Sequence, residues 1–279
     1  MNWTGIAIDI GIVLYILTIL AIIYTIILEN RNPVRTLAWI LVLVLAPGVG
    51  LFFYIYFGMN YRKIKMFSMK GLGDFKWLQY MSEDQKQRIK KAELLKKEDM
   101  EAVKPLMTLL LNNSKALLSR NNTIEILNNG EATFGSIFKA IAKARKYIHL
   151  EYYIIDKGEL GEKLKELLIA KAKEGVEVRV IYDDVGSWKL PKRYIKEMQA
   201  AGIQIYPFLP VRFPLFTNKV NYRNHRKIVV VDGDTGFIGG LNFADRYLHG
   251  LPGIGIWRDT HLKVKGEAVT SLQVVFLFD

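Results

Sequence analysis

The chain has 279 residues, 39 Lys and Arg against 27 Asp and Glu, a formal net charge of +12 and no cysteine. That composition excludes disulfides, thiolate nucleophiles and cysteine metal sites. It also points toward an anionic partner, either nucleic acid or acidic lipid.

The first sixty residues carry most of the apolar character. Ile6 to Leu28 is apolar apart from Asp9 and small polar residues, and a hydrocarbon core needs about 20 such residues, so segment 6–28 reads as a membrane span. A cleaved signal peptide fits less well, because no Lys or Arg precedes the run and no small-x-small site ends it. Segment 36–57 is a second run of spanning length, interrupted by Ala46-Pro-Gly-Val-Gly50. Pro47 and the glycines would kink or break a helix there, so a re-entrant hairpin competes with a clean second span, which is preferred. Arg62, Lys63, Lys65 and Lys70 follow, and the positive-inside rule places the bulk of the chain in the cytoplasm. Trp39, Tyr54, Tyr56 and Tyr61 fit interfacial anchors. Residues 1–60 are thus expected to be membrane-embedded. The runs favour a lipid over a nucleic-acid partner, since a protein held at the bilayer meets anionic headgroups at high local concentration.

Residues 61–122 read as a charged juxtamembrane connector, with a helix over 82–95 opened by a Ser82 cap. Beyond it, residues 123–279 alternate strands and helices. Strands are expected at 123–127, 147–155, 176–182, 204–207, 227–231, 235–238 and 258–265, and helices at 134–144, 161–174, 191–200 and 267–278. Such alternation implies an α/β domain whose mixed sheet is covered on both faces.

The chemistry concentrates in Asn224-His-Arg-Lys-Ile-Val-Val-Val-Asp232. Strand side chains alternate faces, so His225 and Lys227 point the same way, about 6 to 7 Å apart along the backbone, and both can touch one phosphate. Asp232 either orients the site or caps the tight turn that Gly233 suggests. In Gly239-Gly-Leu-Asn242, Gly239 and Gly240 would let backbone approach a ligand and Asn242 would donate to a phosphate oxygen. Asp259 and His261 fit a site rim or a solvated strand face equally well. His149 reads as structural and His249 as a surface residue. Glu151 and Asp156 are weaker candidates, and Asp183 and Asp184 either position substrate or cap the next element. No carboxylate cluster or His pair at ligand spacing calls for a metal.

These residues resemble the phospholipase D superfamily, whose signature is His-x-Lys-x4-Asp followed by a Gly-Gly/Ser-x-Asn step. Glu151 to Asp156, Val178 to Ser187 and Phe237 to Asp245 look like the first catalytic half of bacterial cardiolipin synthases, and Glu29 to Trp39 is similar to their membrane region. Family members carry two motifs and this sequence contains one, so 123–279 is expected to be one half of the usual two-half fold, truncated at its C-terminus. The resemblance implies an inner-membrane, multi-pass phosphatidyltransferase that joins two phosphatidylglycerol molecules into cardiolipin and glycerol. His225 would form a phosphohistidine, Lys227 and Asn242 would neutralise the phosphate, and neither cofactor nor metal would be needed. A histidine of a second motif, in another half or a homodimer partner, would serve as acid. Two rivals stand beside this reading: a dimeric phosphodiesterase or nuclease using the same residues, and an inactive fragment.

Overall fold

A computed structural model of the protein describes residues 3–28, 33–54, 70–90, 103–211 and 223–279. The chain divides into two compact units, residues 1–67 with 213–218 and residues 68–212 with 219–279.

The first unit contains α1 (Trp3–Leu28), α2 (Pro33–Leu45) and α3 (Pro47–Phe53). Ile26, Leu43 and Tyr54 form its buried cluster, and Trp39 packs edge-on against Tyr54 with ring centroids 5.5 Å apart. Trp39 and Tyr54, two of the expected interfacial anchors, make this internal contact, while Tyr56 and Tyr61 lie outside the described residues. Among the described residues no helix is long and apolar enough to cross a membrane, so the structure does not establish the two expected spans. For the second run the cause is local. Ala46 leaves helical geometry at φ −137° and ψ 69°, Pro47 restarts a helix, and the pieces have 13 and 7 residues, about 20 and 10 Å at 1.5 Å per residue. A side chain at Gly50 would strike the Val42 carbonyl at 2.6 Å, so glycine there lets α3 fold closely back on α2. α1 comes nearest to a span, running unbroken through 26 residues with Asp9 as its one charged residue.

The second unit opens with α4 (Lys70–Lys90) and α5 (Lys104–Ser114). Ser82 is not a helix cap. It lies inside α4, buried, and its hydroxyl donates to the Leu111 carbonyl at 2.9 Å. The Gln85 amide bridges to Leu118 N and O, and Ile89 packs on Leu111, so the expected connector is a packed helix pair.

A seven-stranded sheet follows, comprising β1 (Thr123–Asn128), β2 (Tyr147–Tyr152), β3 (Glu177–Asp183), β4 (Gln204–Phe208), β5 (Lys227–Val231), β6 (Thr235–Gly239) and β7 (Thr260–Lys265) in the order β1-β7-β6-β5-β2-β3-β4. β2, β3 and β4 run parallel, as crossover helices require, and the remaining neighbours are antiparallel. The mixed α/β sheet expected from the sequence is present. On one face, Ile148, Leu150, Tyr152, Val229, Val231 and Phe237 pack against α6 (Asn129–Ala142), α7 (Glu159–Lys173) and α8 (Lys192–Ala200). On the other, Ile228, Val230 and Val264 meet α10 (Ala268–Phe278). A short helix, α9 (Arg246–His249), which the apolar pattern does not announce, lies between β6 and β7. Burying both faces makes β5 apolar at every position after Lys227, which explains the run Ile-Val-Val-Val.

Candidate active site

Register brings the polar residues to one end of the sheet. Lys227 is the first residue of β5 and stands opposite Tyr152 on β2. His225 lies two residues earlier, in the loop that leads into the strand rather than on the strand itself. The expected pairing holds: Lys227 Nζ lies 3.1 Å from His225 Nδ1 and donates to the His225 carbonyl at 2.7 Å. The Tyr153 ring flanks both, 4.3 Å from the imidazole centroid and 5.4 Å from the ammonium. Lys227 is 3% exposed, whereas His225 is open to solvent. A reagent arriving from outside therefore meets the imidazole first and the ammonium behind it.

Burial and the neighbouring Lys227 charge push the His225 pKa below its usual value against the pull of Asp183, so the ring is neutral at pH 7. Burial brings the Lys227 amine down to about 8, with Asp259 opposing the shift. At neutral pH it is still mostly charged. A neutral imidazole beside a half-desolvated ammonium can attack phosphorus while the cation meets the phosphate oxygens.

The loop carrying His225 is held by two carboxylates that the sequence offers only as minor candidates. Asp183 accepts from Val185 N at 3.1 Å, Gly186 N at 2.8 Å, Arg223 Nη1 at 3.1 Å and Asn224 N at 2.9 Å. The Asn224 amide donates to the buried Glu151 carboxylate, and its oxygen accepts from Arg226 N at 3.1 Å. The residue before His225 is thus fixed on three sides. Burial raises the Glu151 pKa, against the Asn224 hydrogen bond and the Arg226 charge. Asp184 accepts from Val211 N at 2.7 Å and shapes its own loop.

Other expected site residues lie elsewhere. Asp232 follows β5 at the far side of the sheet, a strand's length of about 16 Å from Lys227 at 3.3 Å per residue. Its carboxylate accepts backbone N–H groups from Arg145, Lys146 and Tyr147 at 2.9, 2.7 and 3.0 Å, and its φ is 53°. It is a turn residue and a loop clamp, the second of the two roles the sequence leaves open for it. Asn242 is 2% exposed, accepts from Ile154 N at 3.1 Å and donates to the Tyr247 hydroxyl at 2.9 Å. Those bonds make it a strut between the loops that follow β2 and β6.

Gly239 and Gly240 also meet a packing need that the local sequence does not announce. A Cβ at Gly239 would lie 2.2 Å from His261 Nδ1, and one at Gly240 would lie 2.4 Å from the Asp259 carboxylate. The glycines make room for these two side chains, which reach inward on β7 and its lead-in. His261 is fully buried rather than part of a solvated strand face. Alternation along 259, 261, 263 was visible in the sequence, but the direction of that polar face depends on the Gly239-Gly240 step across from it. His149 is buried between Tyr147 and Phe276, 4.5 Å from the latter, as a structural histidine. His249 is exposed and faces Glu159 at 3.4 Å. Asp156 pairs with Arg246 at 3.8 Å, away from the imidazole. Among the described residues no group of three His, Asp or Glu side chains is arranged to hold a metal.

Comparison with known proteins agrees with this arrangement. Residues 137–255, which contain the His225–Lys227 pair, match the family described as "Cardiolipin synthase, PLD-like domain", and residues 10–58 match "Phospholipase_D-nuclease N-terminal". The chain belongs to the phospholipase D superfamily. Within it, cardiolipin synthase of Halalkalibacterium halodurans is 44% identical over 99% of this chain and 54% of its own length. That of a Geobacillus species is 45% identical over 94% and 51%, and cardiolipin synthase 2 of Bacillus cereus is 48% identical over 90% and 48%. The chain therefore spans about half the length of the curated relatives it matches. Its phospholipase D-like match ends at residue 255, before Asp259 and His261.

Proposed function

We propose that the protein is a membrane-bound phosphatidyltransferase that makes cardiolipin from two phosphatidylglycerol molecules. The observation that carries this reading is the accessible, neutral His225 with Lys227 Nζ 3.1 Å from its ring. His225 Nε2 attacks the phosphorus of one phosphatidylglycerol, the phosphorus–oxygen bond to the headgroup glycerol breaks, and the phosphatidyl group rests on the ring. A hydroxyl of a second phosphatidylglycerol then attacks, loses its proton, and frees the ring as cardiolipin forms.

Lys227 offsets charge on the non-bridging oxygens as the transition state develops. In the resting arrangement it points a hydrogen at Nδ1, which favours the tautomer with the proton on Nε2. Attack requires the opposite tautomer, so an arriving phosphate has to draw the ammonium away from the ring. The acid that protonates the departing glycerol comes from a second site of the same kind, in another half or a second copy.

Attachment to the membrane falls to α1. Its Ile10, Ile12, Val13, Ile16, Leu17 and Leu20 are each 50–56% exposed, and 26 residues extend about 39 Å at 1.5 Å per residue. An apolar surface of that length is stable against lipid and not against water. The basic run from Arg62 to Lys70 puts the catalytic unit on the cytoplasmic side of the inner membrane, next to anionic headgroups.

The test is to incorporate the protein in phosphatidylglycerol vesicles and measure cardiolipin and free glycerol in equal amounts. His225→Ala should abolish both products. Cleavage of single-stranded DNA without any lipid product would replace this reading with a phosphodiesterase.

A further inference from the structure

Lys227 presents an electrostatic puzzle. It is a buried lysine with an attracting carboxylate, Asp259, near enough to raise its pKa, yet the two are not within ion-pair distance. The ammonium turns instead to the carbonyl and ring of His225 and the face of Tyr153. In a half-desolvated setting a lysine collapses onto an available carboxylate unless something stands between them.

The sheet register puts one side chain in the row of Lys227. Ile228 pairs with Ile238, so one step further Lys227 faces Gly239, and Gly239 in turn pairs with His261. All three project to the same sheet face, because register partners share a face. Gly239 contributes no side chain to that row. The His261 ring occupies the vacant place, with Nδ1, Cγ and Cε1 at 2.2, 2.4 and 2.7 Å from where a Cβ of residue 239 would be. Asp259 does the same one position along, over Gly240.

The ring is not held there for its own hydrogen bonds. His261 is 0% exposed and both its ring nitrogens lack a partner, an arrangement native proteins keep only where it serves a purpose. Burial and the Lys227 charge keep it neutral against the pull of Asp259, with its pKa lowered to about 4. It therefore adds no charge of its own at working pH.

We propose that His261 is a positioning residue that acts through Lys227. Its ring, seated on Gly239, is a neutral spacer that keeps the ammonium off Asp259 and turned toward His225, where a phosphate can take it. This rests on the reading of Lys227 as the phosphate-facing cation, but it can be tested without turnover.

The measurement is the pH dependence of amine acylation at Lys227, read by peptide mass spectrometry on the intact protein. His261→Ala removes the spacer, lets the lysine pair with Asp259, and should move its titration upward from about 8 by at least one pH unit. That corresponds to a reactivity at pH 8 reduced severalfold or more. His261→Phe keeps a ring of similar size without nitrogens and should leave the titration where it is. An unmoved titration in folded His261→Ala, or a rise of the same size in His261→Phe, overturns the proposal. If the alanine variant does not fold, the phenylalanine variant decides alone. If neither folds, the ring is a core element and the positioning role is refuted. Failure to make cardiolipin with the predicted titration shifts intact would count against the proposed activity and not against the spacer.

Discussion

Replacing Asp232 separates structure from chemistry at this site. Its carboxylate gathers three backbone N–H groups, from Arg145, Lys146 and Tyr147. A hydrogen bond to a charged acceptor contributes about 1.5–3 kcal/mol, but donors on exposed residues regain water when the acceptor goes. Arg145 and Lys146 are such residues and Tyr147 is half-buried, so the lost bonds amount to about 1.5–3 kcal/mol together. Asp232→Ala also places a Cβ residue without a helpful polar group at φ 53°, for about 1 kcal/mol more. The sum, about 2–4 kcal/mol, lowers Tm by roughly 5–15 °C at about 2–4 °C per kcal/mol. Asp232→Asn keeps an oxygen and tolerates the left-handed backbone, so it should lose about half as much.

The same carboxylate has an acid signature. Burial works against its ionisation but is outweighed by the backbone N–H groups, chiefly of Lys146, and its pKa is lowered. A depressed folded pKa gives stability that is present above the unfolded value and lost as pH falls through the folded one. Asp232→Asn should therefore lose less stability than the parent between pH 5 and acid unfolding. Thermal and urea unfolding across that range, with His225 adduct yield measured per folded molecule, is the assay. Parental stability together with a tenfold fall in adduct would return Asp232 to the chemistry and refute this reasoning.

The pH profile of kcat/KM should rise through the lowered His225 pKa, below 6.5, as the ring becomes neutral. It should fall about tenfold per unit above pH 8 as Lys227 loses its proton, and a plateau extending to pH 10 would contradict the Lys227 role. Asn242→Leu strands the Ile154 N–H and the Tyr247 hydroxyl and should cost about 2–4 kcal/mol in urea unfolding. Unchanged stability with weakened phosphate binding would show that its main role is the ligand. Ile16→Lys combined with Leu20→Lys should release the protein from vesicles, at about 2.5 kcal/mol or more per charge in a bilayer. Retention in the vesicle pellet would take membrane attachment away from α1.

The parts of the fold that were legible in the sequence are those governed by neighbours in the chain. Apolar patterning located all seven strands and four helices of the second unit to within a few residues, because burial of one face, or of both as in β5, writes itself into local spacing. His225 and Lys227 were legible because they lie two residues apart in the chain, although His225 precedes the strand and the pair meets through the Lys227 ammonium rather than on one strand face. Residues whose partners lie far along the chain were not. Ser82 resembles a cap, but its hydroxyl answers a carbonyl 29 residues away. Asp232 sits beside a motif lysine and glycine in sequence, while its donors lie 85 to 87 residues earlier. Glu151 and Asp183 gain their role only when β2 and β3 are set beside the loop before β5. The pairing of Gly239 with His261 is a fact of register between β6 and β7, and no local pattern contains it. Pro47 marked a possible break, since a missing N–H interrupts a helix, yet the sequence favoured a clean span where the structure has two helices of 13 and 7 residues.

The central claim is that His225 becomes covalently phosphorylated by a phospholipid. The protein should be mixed with phosphatidylglycerol carrying a labelled phosphate, quenched in alkali, where phosphohistidine survives, and digested for mass spectrometry. The label is expected on the peptide containing His225 and to be absent after His225→Ala, whereas His249→Ala should leave it nearly unchanged. Label on any other residue, or equal loss in the two variants, would contradict the account.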